Sequence, residues 1–303
     1  MTRRALVLGG GGITGIAWET GFLAGLAESG LDLTAGGPTP PDLVVGTSAG
    51  SIVGSQVTSE VPVAELYRRQ LLPPAQLGDG GVPLAAIGPR VLLTFAASLL
   101  RARGDVERFG RLLGERAVAA ARAGRVPSVE ERYAQVRQRL VTQAWPGEGA
   151  PQLVVTGVDA ATGRRVAFSG PGGELPGVGL EDAVNASCAV PCVYPPIPIA
   201  GRTYLDGGVH SGSNADLAAG CDVVLALCPA DRAVGPLRSA SQALAGLGVP
   251  HLVVTPDDAS RAAIGRNVLD PQARPPSARA GFEQGVAWAE RVGDLWRGGP
   301  PPT

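Results

Sequence analysis

LVVGTSAG, residues 43–50, decides between two folds. An apolar run enters Gly46-Thr47-Ser48-Ala49-Gly50 directly, and the small residues Ser51, Gly54 and Ser55 follow in a stretch suited to a helix. A strand that turns sharply into a helix with serine at the apex is the arrangement of a nucleophile elbow. Gly46 and Gly50 relieve crowding on either side of so tight a turn. The Ser48 hydroxyl is then held up at the carboxyl end of the sheet. The Ala49 N–H beside it points to where an oxyanion would form, and the helix adds its positive end. A G-x-S-x-G alone carries little weight in a chain with 44 glycines. Its meaning rests on the strand–turn–helix slot and on partners elsewhere in the chain.

The first partner lies upstream, in ALVLGGGGITG, residues 5–15. Gly10, Gly12 and Gly15 spell G-x-G-x-x-G, which has two readings. It can cradle a dinucleotide pyrophosphate, or it can present backbone N–H groups to an oxyanion. The dinucleotide reading needs an acidic residue at the end of the second strand. The Ser48 turn stands there instead, and Asp32 falls in the loop after the first helix. Short βαβ connections make the first two strands neighbours. The glycine loop then lies beside the elbow, and Gly10, Gly11 and Gly12 join Ala49 as candidate oxyanion donors.

Composition narrows the classes. The chain has 303 residues, 45% hydrophobic and 17% charged, with a net charge of −1. That balance suits a globular protein, and without a basic block it excludes nucleic acid as an expected partner. Lysine is absent, which removes a Walker lysine and any Schiff-base chemistry. No apolar run approaches the ~20 residues of a spanning helix. The first apolar run is too short for a signal-peptide core, so the expectation is a cytoplasmic protein. Cys188, Cys192, Cys221 and Cys228 match no zinc spacing and read as buried free thiols. No metal and no organic cofactor is implied.

The alternation of strand, helix, strand and helix in the first 60 residues predicts an α/β fold with a mainly parallel sheet. Residues 60–147 read as helices with arginine-rich faces, a helical insertion or lid in a single domain spanning 1–303. Within it, VLLTFAASLL (91–100) is apolar nearly all round and flanked by Arg90, Arg101 and Arg103. It reads first as a core helix, and second as a lid or acyl-chain wall touching a membrane surface. Residues 153–158 and 165–168 suggest a hairpin, and 180–189 a helix. Residues 222–227 and 251–255 suggest buried strands. A closing helix over 277–296 puts Phe282, Val286, Ala289, Val292 and Trp296 on one face.

Ser48 needs a base. A Ser-His-Asp triad needs a histidine, and the chain has only His210 and His251. His251 opens an apolar run, and His210 stands four residues past Asp206. Asp206 in YLDGG (204–208) is the better candidate. It ends a short apolar segment and precedes Gly207 and Gly208, so an exposed turn at a sheet end would present its carboxylate. By itself an Asp-Gly-Gly is simply a turn.

In order, the G-G-G-x-x-G, the G-T-S-A-G and the D-G-G resemble the motifs of the patatin-like phospholipases. So does the block Ala186-Ser187-Cys188-Ala189-Val190-Pro191 with Val193-Tyr194-Pro195-Pro196. The resemblance covers residues 5–222, with a weaker echo in the closing helix. It implies a three-layer fold with helices on both faces of the sheet. It implies a Ser-Asp dyad without histidine, with Ser48 as nucleophile and Asp206 as base. It also implies Gly10, Gly11 and Gly12 as the oxyanion loop, and Gly15, Gly46, Gly50, Gly207 and Gly208 as motif supports. The implied reaction is hydrolysis of lipid carboxyl esters through an acyl-enzyme. The implied partners are a lipid or other acyl-ester substrate and, peripherally, a membrane. One position departs: Thr14 stands where the family usually has Arg or Lys. Three other readings remain open from sequence: a catalytically silent acyl-binding protein, a dinucleotide-binding oxidoreductase, and acyl transfer to an acceptor other than water. Nothing in the sequence fixes an oligomeric state.

Overall fold

The computed structural model describes residues 2–77 and 88–298. At its centre β1 (Arg4–Leu8) pairs in parallel with β2 (Leu43–Gly46), setting Leu8 beside Gly46. On the other side of β1 lies β7 (Val223–Leu227), followed by β8 (His251–Val254), both parallel. β3 (Gln152–Asp159) runs parallel to β2 along its first half. Along its second half it pairs antiparallel with β4 (Arg165–Phe168) and β6 (Arg202–Asp206), and β5 (Ile197–Ile199) adds to β6. The order is β5-β6-β3-β2-β1-β7-β8, with β4 on β3. The sheet is thus parallel in its middle and antiparallel at one side, an α/β fold as the sequence predicts.

Alternate residues of the central strands feed two separate cores, as a period of two dictates. Leu6, Leu8, Val44 and Leu225 pack on one face against α1 (Gly12–Glu28) and α2 (Ala49–Val57). Ala5, Val7, Val45 and Val224 pack on the other against α8 (Ala240–Ala245). Uninterrupted apolar runs suit strands covered on both faces. β8 departs from the expected buried strand. It is the last strand of its side, and His251 and Val253 are only half-buried.

The remaining helices are α3 (Val63–Gln70), α4 (Pro89–Ala102), α5 (Val106–Arg122), α6 (Val129–Arg137), α7 (Leu180–Ser187), α9 (Asp258–Ile264) and α10 (Arg274–Trp296). Residues 78–87 of the expected helical insertion lie outside the described residues. α1 starts at Gly12, so the last glycine of the 9–12 run lies inside the helix and Gly11 caps it.

α10 bears out most of the expected apolar face, with Val292 and Trp296 buried and Phe282 and Ala289 packed against the core, and departs from it at one position. Val286 is exposed, and the buried face carries Ala278, Gly281 and Gly285. These meet Gly21 and Gly25 of α1 backbone to backbone. A Cβ on Gly285 would lie 2.2 Å from the Phe22 carbonyl oxygen, and one on Gly21 2.1 Å from the Ala278 oxygen. Small residues let two helices approach this closely, and an apolar-periodicity search does not see them. Gly285→Ala is expected to destabilise the protein by about 3 kcal/mol, the cost of forcing packed backbones apart. That outweighs the ~1 kcal/mol that alanine gains in helix propensity. The midpoint of urea unfolding measures it, and an unchanged midpoint would contradict the close approach.

α4 corrects a second expectation. It is not a core helix: only Ser98 and Ala102 are buried, whereas Leu93 is 69% and Leu100 80% exposed. Phe95 and Leu99 turn inward onto Phe109 and Leu113 of α5.

Candidate active site

β3 acts as the ruler of the site. Gly46, at the end of β2, pairs with Val155 of β3, and Asp206, at the end of β6, pairs with Gly157. Two positions along a strand are roughly 7 Å. The ends of β2 and β6 therefore come together over Thr156. Thr156 Oγ1 lies 3.0 Å from Thr47 Oγ1. The Asn214 side-chain amide then reaches both threonine hydroxyls, at 3.1 and 3.2 Å, and the Gly207 carbonyl at 3.3 Å. One buried amide thus ties the neighbour of Ser48 to the neighbour of Asp206.

Ser48 stands between β2 and α2 at φ 52°, ψ −116°. This is a costly backbone conformation for a residue with a Cβ, and such strain persists only where surrounding structure holds it. The holding contacts are visible. The Ser48 N–H donates to Ser187 Oγ at 2.9 Å, and its carbonyl accepts from Ser51 Oγ at 2.6 Å and from Cys188 Sγ at 3.3 Å. Burial pushes the Cys188 thiol up to about 11, so it stays neutral and keeps its proton to donate. Gly50 is packed so tightly that a Cβ there would lie 2.1 Å from the Leu8 carbonyl oxygen. The turn is therefore closed to any larger residue at that position.

Asp206 is buried, and its N–H donates to the Ala189 carbonyl at 3.0 Å. The segment Ser187–Ala189, at the end of α7, thus braces both Ser48 and Asp206. Asp206 Oδ1 accepts the Gly208 N–H at 2.7 Å. Oδ2 is buried and has no hydrogen-bond partner among the described residues. Burial pushes the carboxyl up to about 6, opposed by the nearby Ser48 hydroxyl, the Gly208 N–H and the Arg132 guanidinium. The Ser48 hydroxyl is close enough to act on the carboxyl but is not in ordinary hydrogen-bond geometry with it. Such bonds in resting sites are often long.

Gly10, Gly11, Gly12, Ser48, Ala49 and Asp206 all line one cavity of about 240 Å³. Gly208 lines it too, whereas Gly15, Gly46, Gly50 and Gly207 are not among its lining residues. The glycine loop differs from expectation in one respect. The Gly10 N–H is taken by the Gly212 carbonyl at 2.8 Å. The Gly11, Gly12 and Ala49 N–H groups have no protein acceptor among the described residues. Gly10 therefore anchors the loop, and the other three remain available. Thr14 is buried, and its N–H and hydroxyl reach the Val268 carbonyl at 3.1 and 3.4 Å.

No histidine lines this cavity among the described residues. His210 lines a separate hollow with Asp216, and His251 Nδ1 lies 2.7 Å from the Val249 carbonyl. Asp32 accepts from Thr34 in the loop after α1, away from any strand end. Cys188, Cys221 and Cys228 are buried free thiols as expected, but Cys192 is only half-buried.

Sequence reasoning missed Asn214 and Arg132, and it quoted Ser187 within the 186–191 block without giving it a role. Arg132, on α6 of the insertion, lies on the cavity wall with its guanidinium 3.8 Å over the Tyr194 ring. No local pattern marks Asn214 or Arg132, because the partners that bury them lie far along the chain.

No curated protein matches the chain. The similar solved structures include two that cover nearly all of the chain. VipD from Legionella pneumophila is 16% identical with a TM-score of 0.46, over 96% of this chain and 67% of that one. The type III effector protein ExoU is 15% identical with a TM-score of 0.39, over 95% of this chain and 53% of that one. The chain therefore spans about two thirds of the first and about half of the second. Residues 6–219, from β1 through the glycine loop, the Ser48 turn and the Asp206 turn, match the patatin-like phospholipase family as one continuous segment. With that much of its length matched, the chain belongs to the patatin-like phospholipase family.

Proposed function

We propose that the protein is a serine acyl hydrolase that cleaves lipid carboxyl esters through Ser48 and Asp206. The observation that carries this is the strained Ser48 at the β2–α2 turn, opening into the cavity that Asp206 also lines. In the first step Asp206 accepts the Ser48 proton as Oγ attacks the ester carbonyl carbon. The carbonyl π electrons move to oxygen, and the Gly11, Gly12 and Ala49 N–H groups with the α2 N-terminus stabilise that oxyanion. Collapse expels the alcohol, which takes the proton from Asp206, and leaves an acyl-serine. A water then gives its proton to Asp206 and attacks the acyl carbon, and collapse releases the carboxylic acid as Ser48 Oγ takes that proton back from Asp206. The apolar residues Phe95, Val190, Val268 and Leu269 on the cavity wall suit an acyl chain. Time-dependent release of free fatty acid from an acylglycerol ester tests the proposal. Binding of the ester without any acid release would refute it.

A lipid surface is the expected place of work. α4 exposes Leu92, Leu93 and Leu100 beside Arg90, Arg101 and Arg103, while Phe95 of the same helix lines the cavity. Apolar residues ringed by cations suit the interface of an anionic bilayer. No helix of the described residues is long and apolar enough to cross a membrane. Leu93→Glu with Leu100→Glu is expected to abolish sedimentation with anionic phospholipid vesicles while leaving hydrolysis of a short soluble ester within about threefold, as for surface changes elsewhere. Vesicle binding unchanged by the pair would remove α4 from the interface.

A further inference from the structure

A buried cation lines the cavity over Ser48 without an ion-pair partner among the described residues. Arg132 is 5% exposed. Its Nη2 donates to the Cys188 carbonyl at 3.1 Å, and its Nη1 reaches Gln135 Oε1 at 3.4 Å. Its guanidinium lies 3.8 Å over the Tyr194 ring, and its buried Nε has no acceptor. Arginine keeps its charge even in such surroundings. A buried charge held by neutral groups alone is costly, so an opposite charge nearby relieves it.

The insertion delivers Arg132 on a fixed seat. From α6, Tyr133 donates to Asp182 Oδ1 at 2.7 Å and Arg137 Nε donates to Glu181 Oε1 at 2.8 Å. Both acceptors lie in the first turn of α7, and Cys188, whose carbonyl takes Arg132, caps its other end. The next carbonyl along, Ala189, takes the Asp206 N–H at 3.0 Å. Arg132 and Asp206 therefore hang from consecutive carbonyls of one turn and line the same cavity. Asp206 is the one carboxylate on that wall among the described residues. The groups acting on it come from several elements: the Ser48 hydroxyl from the β2–α2 turn, the Gly208 N–H from its own turn, the neutral Cys188 thiol from the end of α7, and Arg132 from α6. Tyr194 and Arg139 complete the titratable groups of the wall, and Arg139 Nη1 is held by the Gln135 carbonyl at 3.2 Å. His210 faces a separate hollow.

We propose that Arg132 is a positioning residue for the reaction, holding the Asp206 carboxyl in its ionised form, so that the insertion supplies the counter-charge on which the base depends. This rests on the Ser48–Asp206 reading. In the attack, the proton passes from Ser48 to Asp206 and the negative charge passes to the substrate oxyanion. One cation thus shares the cavity with the carboxylate before that step and with the oxyanion after it. An opposite charge close by is what favours ionisation where burial opposes it. A protonated Asp206 cannot accept from Ser48. The rival role is structural: a guanidinium at the C-terminal end of α7 also caps that helix. The two roles differ in their dependence on pH.

The test is the pH profile of kcat/KM on a short soluble ester for wild type, Arg132→Gln and Arg132→Lys. The wild-type profile is expected to reach half its plateau near about 6. Arg132→Gln is expected to move that midpoint up by ~1 in pH, so that its loss relative to wild type is ~10-fold greater at pH 5 than at pH 9. Arg132→Lys is expected to return the midpoint toward the wild-type position. A loss of the same factor at every pH would overturn the proposal and leave Arg132 as a helix cap. A second readout needs no turnover. At pH 8, Asp206→Asn is expected to raise the urea midpoint more in the Arg132→Gln background than in wild type, because the unaided carboxylate is the more costly one. Equal rises would overturn the proposal too. If Arg132→Gln alone does not fold at pH 8, the two changes together are expected to restore folding, and a double variant that stays unfolded would count against the proposal. A wild type that cleaves no ester refutes the hydrolase reading, while the stability comparison still decides the coupling.

Discussion

Ser48→Ala is expected to lower the rate of ester hydrolysis by roughly 10⁴-fold or more, with the substrate still bound. Losing a nucleophile removes the covalent route altogether, and what remains is the modest help of a preorganised oxyanion site. The fold should tolerate the change. Alanine has the same Cβ as serine, and the contacts that hold the turn run through the Ser48 N–H and carbonyl to Ser187, Ser51 and Cys188. The prediction therefore separates chemistry from stability. Loss of steady-state hydrolysis with an unchanged unfolding midpoint would support it, and activity within tenfold of wild type would remove Ser48 from the reaction.

The second large effect belongs to Asp206. Asp206→Asn keeps the shape and the Oδ1 that accepts the Gly208 N–H but cannot take a proton, so hydrolysis is expected to fall by roughly 10²–10⁴-fold. The same change should stabilise the fold. Burial raises the carboxyl to about 6, above the usual carboxylate range. A carboxyl whose folded pKa is raised is held more comfortably neutral. Its contribution to stability is fully present below the unfolded value and is lost as pH rises through about 6. At pH 8 the wild type carries the cost of that buried charge and the amide does not, a difference of roughly 1–3 kcal/mol. Activity runs the other way: the base must be ionised, so wild-type kcat/KM rises with pH through about 6. An Asp206→Asn protein that is slower and also less stable at pH 8 would contradict this account of the carboxyl.

What the sequence made legible follows from where each signal resides. The Ser48 turn is a local event: strand, glycine, serine, glycine and helix lie within a dozen residues, and their order alone implies an exposed hydroxyl. Asp206 was readable because two glycines follow it and because no histidine offered a better base. The long-range contacts were not readable. Asn214 joins Gly207 to Thr156 and to Thr47, which lie 58 and 167 positions away, and nothing in S-G-S-N-A marks it. Arg132 looked like one more charge on a helix face. Its burial depends on Tyr194 and Cys188, which reach it only through the tertiary fold. Gly10 looked equivalent to Gly11 and Gly12, and only the Gly212 carbonyl distinguishes it. On α10, glycines packed against α1 took the buried face that apolar periodicity assigned in part to Val286. In each case the winning interaction was tertiary, and a one-dimensional pattern cannot carry it.

The most direct test of the central claim is intact-mass spectrometry of the protein after exposure to a fluorophosphonate, for wild type, Ser48→Ala and Asp206→Asn. Wild type is expected to gain one phosphonyl group located at Ser48, Ser48→Ala none, and Asp206→Asn the same adduct far more slowly. A folded wild type that gains no mass, or gains it at a residue other than Ser48, would contradict the account.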